Sequence, residues 1–188
     1  MDKQLKIGVL ALQGGFAEHI ESLQSVGAET FEIRKKQDLD QTINGLVIPG
    51  GESTVISKLL DDLDLFTPLK EKIDAGLPVF GTCAGMILLA NRFQAIDIIV
   101  KRNAYGRQLG SFSVEADMKG IGKIPMVFIR APYIEKAGKG VEILSVVNEH
   151  IVAARQKNIL VTSFHPELTF DTRLHRYFVE LINISGQH

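Results

Sequence analysis

Through residue 93 the chain alternates apolar, β-prone runs with helical patterns, and this alternation restricts the fold more than any other feature. "KIGVLAL" (6–12) reads as a strand. After the break at Gln13-Gly14-Gly15, Phe16, Ile20, Leu23 and Val26 or Ala28 recur at helical spacing. "TFEIRK" (30–35) is a second strand, and "GLVIPGG" (45–51) is a third that runs into a Pro-Gly-Gly turn. Residues 53–76 read as helix, with a break expected before Pro68 and a stop at Gly76. "LPVFGTC" (77–83) is a strand that launches a helix over 84–93 directly. Strands joined by helices form parallel pairs, and a parallel sheet must be covered on both faces. The expectation is therefore one α/β domain spanning 1–188, three layers deep, with a mostly parallel central sheet.

The second half changes character. "AIDIIVKRN", "GSFSVEAD", "MVFIRAPYI", "VEILSVVN", "HIVAARQ" and "ILVTSFHP" are short strand candidates with turn signals between them. They predict a small antiparallel extension. "DTRLHRYFVELINI" (171–184) then reads as an amphipathic helix opened by an Asp cap. A net charge of -1 gives no sign excess pointing to nucleic acid or an anionic membrane. No apolar run approaches the ~18 residues that a membrane helix needs. The single cysteine rules out an intrachain disulfide framework and fits a reducing compartment, so a cytoplasmic protein is expected.

That cysteine lies in "FGTCAGM" (80–86). Gly81-x-Cys83-x-Gly85 matches a nucleophile elbow with cysteine in place of serine, and it has a strand before it and a helix after it. In such a turn the residues two before and two after the nucleophile come very close, so only small ones fit. The turn lifts the sulfur to the carboxyl end of the sheet, where open α/β folds bind ligands. A helix N-terminus there favours thiolate over thiol, whose free pKa is ~8.5. The competing reading is a buried packing cysteine, the commoner fate of a lone one.

A nucleophilic cysteine needs a base. His19 and His175 lie on amphipathic helices, where a solvent-edge position is expected; His150 lies in a turn, and His188 ends the chain. His165 closes the apolar run "ILVTSF" and precedes Pro166 and Glu167. Pro166 pushes His165 toward extended backbone. Residues i and i+2 of an extended chain point the same way, so Glu167 can reach one imidazole nitrogen and leave the other for a thiol. That is the orienter, base and nucleophile order of a triad. Taken alone, "HPE" fits a surface His and Glu equally well. Cys83, His165 and Glu167 lack the close spacing of metal ligands.

The developing negative charge of an attacked carbonyl needs donors. The elbow supplies the backbone N–H of Ala84. "IPGGEST" (48–54) is the candidate for a second, because Gly50 and Gly51 let the backbone approach a ligand closely. A plain turn with Ser53 or Thr54 as helix cap is the alternative. Glu52 at this mouth suits a substrate ammonium group.

Together, "GTCAG" and "SFHPEL" resemble the class I glutamine amidotransferases, whose Cys-His-Glu triad hydrolyses glutamine to glutamate and ammonia. More narrowly, "LALQG" (10–14), "GLVIPGGEST" (45–54), "RNAYGRQ" (102–108), "VFIRAP" (127–132) and "SFHPEL" (163–168) resemble the glutaminase subunits of pyridoxal 5′-phosphate synthase. The resemblance implies Cys83 as nucleophile with His165 and Glu167 as base and orienter. It implies L-glutamine contacts from Gly51, Glu52, Ser53, Arg102, Ile129 and Arg130, and it places Gln13 near the oxyanion site. It implies no cofactor. It also implies a synthase subunit as partner, which receives the ammonia, activates the glutaminase on docking and assembles with it into a large complex. Two stretches depart from the family pattern. The segment from Cys83 to Arg102 is shorter than usual, and "GGFAEH" (14–19) differs from the residues that usually follow "LQG".

Overall fold

The structure is a computed structural model that describes residues 4–102 and 111–186. The end of the motif "RNAYGRQ", residues 103–108, lies outside the described residues. In chain order the elements are β1 (Lys6–Leu10), α1 (Phe16–Ser25), β2 (Glu29–Ile33), β3 (Gly45–Ile48), α2 (Ser53–Asp62), α3 (Phe66–Asp74), β4 (Val79–Thr82) and α4 (Ala84–Asn91). The second half contributes β5 (Ile98–Lys101), β6 (Ser111–Met118), β7 (Gly122–Ile129), β8 (Tyr133–Ala137), β9 (Glu142–Val147), β10 (His150–Gln156), β11 (Ile159–Thr162) and α5 (Arg173–Ser185).

The main sheet runs β2-β1-β3-β4-β11-β10-β8-β5, with β9 also paired to β10. The β2, β1, β3, β4 and β11 strands are mutually parallel. The pairings of β10, β8, β9 and β5 are antiparallel. A separate antiparallel pair, β6 with β7, stands apart from the main sheet. The expected three-layer architecture with a small antiparallel extension is what forms.

The alternation of strand side chains divides the core in two. Val47, Phe80 and Leu160 face a cluster closed by Leu23 of α1 and Phe178 and Leu181 of α5. Their neighbours Leu46, Ile48, Val79 and Val161 face the opposite cluster, closed by α2, α3 and α4. Each such side chain, fully buried, stabilises the fold by about 1.5–3 kcal/mol relative to exposure. The α4 helix departs from an amphipathic pattern: Ala84 through Leu89 are all buried. A helix that is apolar all round belongs in the interior, and α4 packs against β4 and β3 there.

Four details of the elements differ from the sequence reading. The helical stretch 53–76 splits at Leu63–Leu65, because Asp64 takes a left-handed φ of 52° and the Leu65 N–H turns back to the Leu60 carbonyl. Pro68 then falls in the first turn of α3, where its missing N–H breaks no bond. "MVFIRAPYI" is two strands rather than one. Arg130 takes a φ of 43°, and the chain passes from β7 in the small sheet to β8 in the large one. Neither Ser53 nor Thr54 caps α2; Glu52 occupies that position without a side-chain cap bond. The Asp expected to open the last helix does so from one residue further out, its Oδ1 accepting the Arg173 N–H at 3.0 Å.

Candidate active site

Gln13, Gly50, Cys83 and His165 follow the carboxyl ends of β1, β3, β4 and β11. Winding reverses between β1 and β3, so this edge is the topological switch point, where open α/β sheets bind ligands.

Cys83 has φ 52° and ψ −104° between β4 and α4. These are strained dihedrals for a residue with a side chain. Two neighbours hold them. The Cys83 N–H donates to the Thr162 carbonyl at 2.8 Å, which continues the β4–β11 register of Thr82 with Thr162. The glycines then allow the turn to close. A Cβ on Gly81 would stand 2.8 Å from the backbone carbon of Gly85, and one on Gly85 would stand 2.0 Å from the Ile48 carbonyl oxygen. Ala84 opens α4, so its N–H has no partner within the helix and is available to a ligand.

His165 leaves β11 with its own N–H on the Val127 carbonyl at 2.8 Å. Its Nδ1 lies 2.6 Å from Oε1 of Glu167. The route differs from the expected one. Pro166–Leu168 forms a 3-10 turn, so Glu167 swings back under His165 rather than running parallel to it along an extended chain. The contact is the same, and the turn buries the carboxylate to 6% exposure. Burial works against charge on the imidazole, but hydrogen bonds from His165 to Cys83 and to Glu167 outweigh it, and its pKa is pushed up to about 10. The imidazole therefore holds its proton across the neutral range. With Nδ1 committed to Glu167, Nε2 is the nitrogen left for Cys83.

The Gly50-Gly51 loop lies against this pair. A Cβ on Gly50 would come within 2.4 Å of Cε1 of His165 and 3.3 Å of the Cys83 Cβ. The Gly50 carbonyl accepts the Gly15 N–H at 3.1 Å, and Oε1 of Gln13 accepts the Glu52 N–H at 2.7 Å. The loop is thus tied to the segment after β1, and Gln13 stands beside it as the resemblance implied.

A cavity of about 300 Å³ opens over the cysteine, lined by Gly51, Glu52, Ser53, Cys83, Arg102 and Arg130 among others. Arg102 arrives through the pairing of Lys101 with Tyr133, in spite of the short segment that precedes it. Ile129, the last residue of β7, is not part of the lining, and its side chain is 40% exposed. The cavity has a carboxylate and two guanidinium groups at its mouth, which suits a small zwitterion.

Two histidines contradict the sequence reading. His19 and His175 were expected at the solvent edges of their helices, and both are fully buried. They pack beside Phe80 at ring-centroid distances of 6.0 and 5.8 Å. Nε2 of His19 approaches Oε2 of Glu167 at 3.3 Å. A polar residue on the apolar face of α1, in phase with Leu23, was the available signal. His150 is also displaced from its expected turn: it is the first residue of β10 and stacks on Tyr133.

Known proteins share this arrangement in sequence and fold. The model of the SNO glutamine amidotransferase family matches residues 9–184. The chain is 55% identical to the pyridoxal 5′-phosphate synthase subunit PdxT of Streptococcus pneumoniae serotype 2, over 94% of this chain and 97% of that one. It is 54% identical to the corresponding subunit of Haemophilus influenzae strain PittGG, over 96% and 100%. A crystal structure of a glutamine amidotransferase superposes with a TM-score of 0.88 at 43% identity, covering 94% of this chain and 98% of the other. An elbow cysteine, a histidine from the neighbouring strand and a match running nearly end to end agree: the chain belongs to the SNO glutamine amidotransferase family.

Proposed function

We propose that this chain hydrolyses L-glutamine to L-glutamate and ammonia, and that it passes the ammonia to a synthase subunit that builds pyridoxal 5′-phosphate. The observation that carries the reading is the elbow cysteine facing an imidazole whose other nitrogen is 2.6 Å from a buried carboxylate. The near full-length similarity to subunits named for pyridoxal 5′-phosphate synthase supports the choice of partner. Residues 1–188 act as one glutaminase domain, and a reduced cysteine nucleophile suits the cytoplasm.

Glutamine enters the cavity with its α-ammonium at Glu52 and its α-carboxylate at an arginine, Arg102 or Arg130. Gly51, Ser53 and the Ile129–Arg130 backbone complete the contacts. With the Cys83 proton resting on His165, the thiolate attacks the side-chain amide carbon. Negative charge gathers on the amide oxygen, which accepts from the Ala84 N–H and from an N–H of the Gly50-Gly51 loop. His165 protonates the departing ammonia, leaving a thioester on Cys83. Water, activated by His165, hydrolyses the thioester and releases glutamate. None of these steps calls for a metal or an organic cofactor. Docking of the synthase sets the Gly50-Gly51 loop for catalysis.

The test is glutamate release, measured with and without the synthase subunit. Turnover is expected to rise in the complex and to vanish for Cys83→Ala; a Cys83→Ala protein with full turnover would sink the reading.

A further inference from the structure

Glu167 has two carboxylate oxygens, and His165 occupies only one. The second, Oε2, is buried and makes no aligned hydrogen bond. It stands 3.3 Å from Nε2 of His19. That same nitrogen is 3.1 Å from Oγ1 of Thr82, the residue before the nucleophile. On its other side, Nδ1 of His19 is 2.9 Å from Nε2 of His175 on α5. An unbroken line of polar atoms therefore runs from α5 through α1 to the carboxylate, and both rings are fully buried.

One proton order fits the line. Both rings are neutral: burial pulls His19 well below the ordinary imidazole value, helped by His175 and His165, and burial brings His175 down to about 4. A neutral imidazole carries one N–H and one bare nitrogen. A bare Nε2 on His19 would set a lone pair against the carboxylate of Glu167, so the proton belongs on Nε2. Nδ1 of His19 must then accept, and Nε2–H of His175 donates to it. This leaves Nδ1 of His175 as a bare acceptor, and that atom has no hydrogen-bond partner. An unpaired buried acceptor is tolerated better than an unpaired buried N–H.

We infer that His19 is a positioning residue for the triad: its Nε2–H holds the second oxygen of Glu167, and His175 fixes which nitrogen of His19 carries that proton. The inference rests on the triad reading above. The purpose is mechanical and electrostatic. A buried carboxylate held at one oxygen can rotate away from its imidazole; held at both, it keeps His165 aimed at Cys83. The 3.3 Å separation is that of the free subunit, and such contacts commonly tighten when substrate binds.

The charged and titratable groups around His19 are His175 from α5, Glu167 and His165 from the turn after β11, and Glu18 on its own helix. Glu18 comes near Gly15, which also borders Glu167. Loss of the His19 donor frees the second oxygen of Glu167, so the carboxylate can turn away from Nδ1 of His165 and the imidazole loses its aim at Cys83.

The experiment compares wild type, His19→Gln and His19→Phe in the complex with the synthase subunit, with rates normalised to Cys83 labelled by an alkylating glutamine analogue. His19→Phe is expected to lower kcat about 10- to 100-fold with KM changed less than about threefold. His19→Gln, which keeps a donor at that height, is expected to recover most of the loss. Equal rates for His19→Phe and wild type would overturn the inference, and so would equal losses in both variants. A measurement on the wild type stands independent of folding of the variants: nitrogen NMR is expected to show His19 as the Nε2–H tautomer, and the Nδ1–H tautomer refutes the proton order. Cys83→Ala separates the two readings. If it keeps turnover, the triad itself is wrong; if it abolishes turnover while His19→Phe matches wild type, only the role of His19 is wrong.

Discussion

A methyl group on Gly50 would stand 2.4 Å from Cε1 of His165, so the loop backbone and the imidazole occupy adjoining space with no room for a side chain between them. Carbon atoms at optimal separation are about 3.5–4.0 Å apart. Gly50→Ala must therefore displace either the imidazole or the loop, the groups proposed above as base and second oxyanion donor. We expect glutamate release in the complex to fall by about 10²–10³-fold. Thermal unfolding should change little, because the loop can yield outward. A variant with wild-type kcat would show that the loop does not border the reacting atoms.

The His165–Glu167 contact sets a dependence on pH. Its effect on His165 is upward: burial lowers the imidazole, but the hydrogen bond to Cys83 and then the one to Glu167 raise it from the usual 6.5 to about 10. A raised folded-state value stabilises the fold fully below the unfolded value and loses that contribution as pH rises toward the folded one. Between pH 7 and 10 the wild type should therefore lose thermal stability progressively. Glu167→Gln removes one of the causes and should flatten that decline. It should also cut turnover by about 10²–10⁴-fold, since the imidazole loses its orienting anion. Unfolding scans at several pH values, beside rate assays, check both.

Strain at the elbow gives a prediction about stability that is independent of activity. Cys83 keeps its φ of 52° and ψ of −104° because the surrounding backbone imposes them. Glycine adopts such dihedrals freely, whereas alanine does not. Cys83→Gly should be more stable than Cys83→Ala by about 1 kcal/mol, less the chain entropy that glycine adds to the unfolded state. Both should be inactive. Denaturant midpoints compare them directly, and equal midpoints would mean that the elbow stores no strain.

Substrate contacts should separate from chemistry in the kinetics. Glu52 and Arg102 line the cavity but stand outside the Cys83-His165-Glu167 contacts. Removing a charge-assisted bond costs about 1.5–3 kcal/mol. Glu52→Ala and Arg102→Ala should each raise KM for glutamine by about tenfold or more while kcat changes far less, which is the signature of lost uniform binding. A fall in kcat at constant KM would instead place the residue at the reacting amide.

The parallel half of the fold was legible because its signals are local. Apolar runs bounded by Gln13-Gly14-Gly15, Pro49-Gly50-Gly51 and Gly76 mark strands and helices by periodicity and turn chemistry. The elbow was legible for the same reason: Gly81 and Gly85 flank Cys83 within one turn, and their close approaches follow from covalent geometry. The His165–Glu167 pair was found, although through the wrong local path, because a 3-10 turn and an extended chain both bring residues i and i+2 within reach. The division of 126–134 into two strands was not legible. It depends on Arg130 taking a left-handed conformation, which nothing in the local pattern demands.

Residue order and local chemistry determined a parallel sheet, a strained cysteine at a helix start and a histidine ahead of a proline and a carboxylate. Only the tertiary structure decided which distant groups meet them. The packing of α1 and α5 on one face of the sheet buries His19 and His175 together and brings His19 to Glu167. The antiparallel pairing of β5 with β8 carries Arg102 to the cavity that Cys83 floors. Both outcomes join residues far apart in sequence, and such contacts arise when apolar faces close over one core. Periodicity within a single segment carries no record of which partner that face will find.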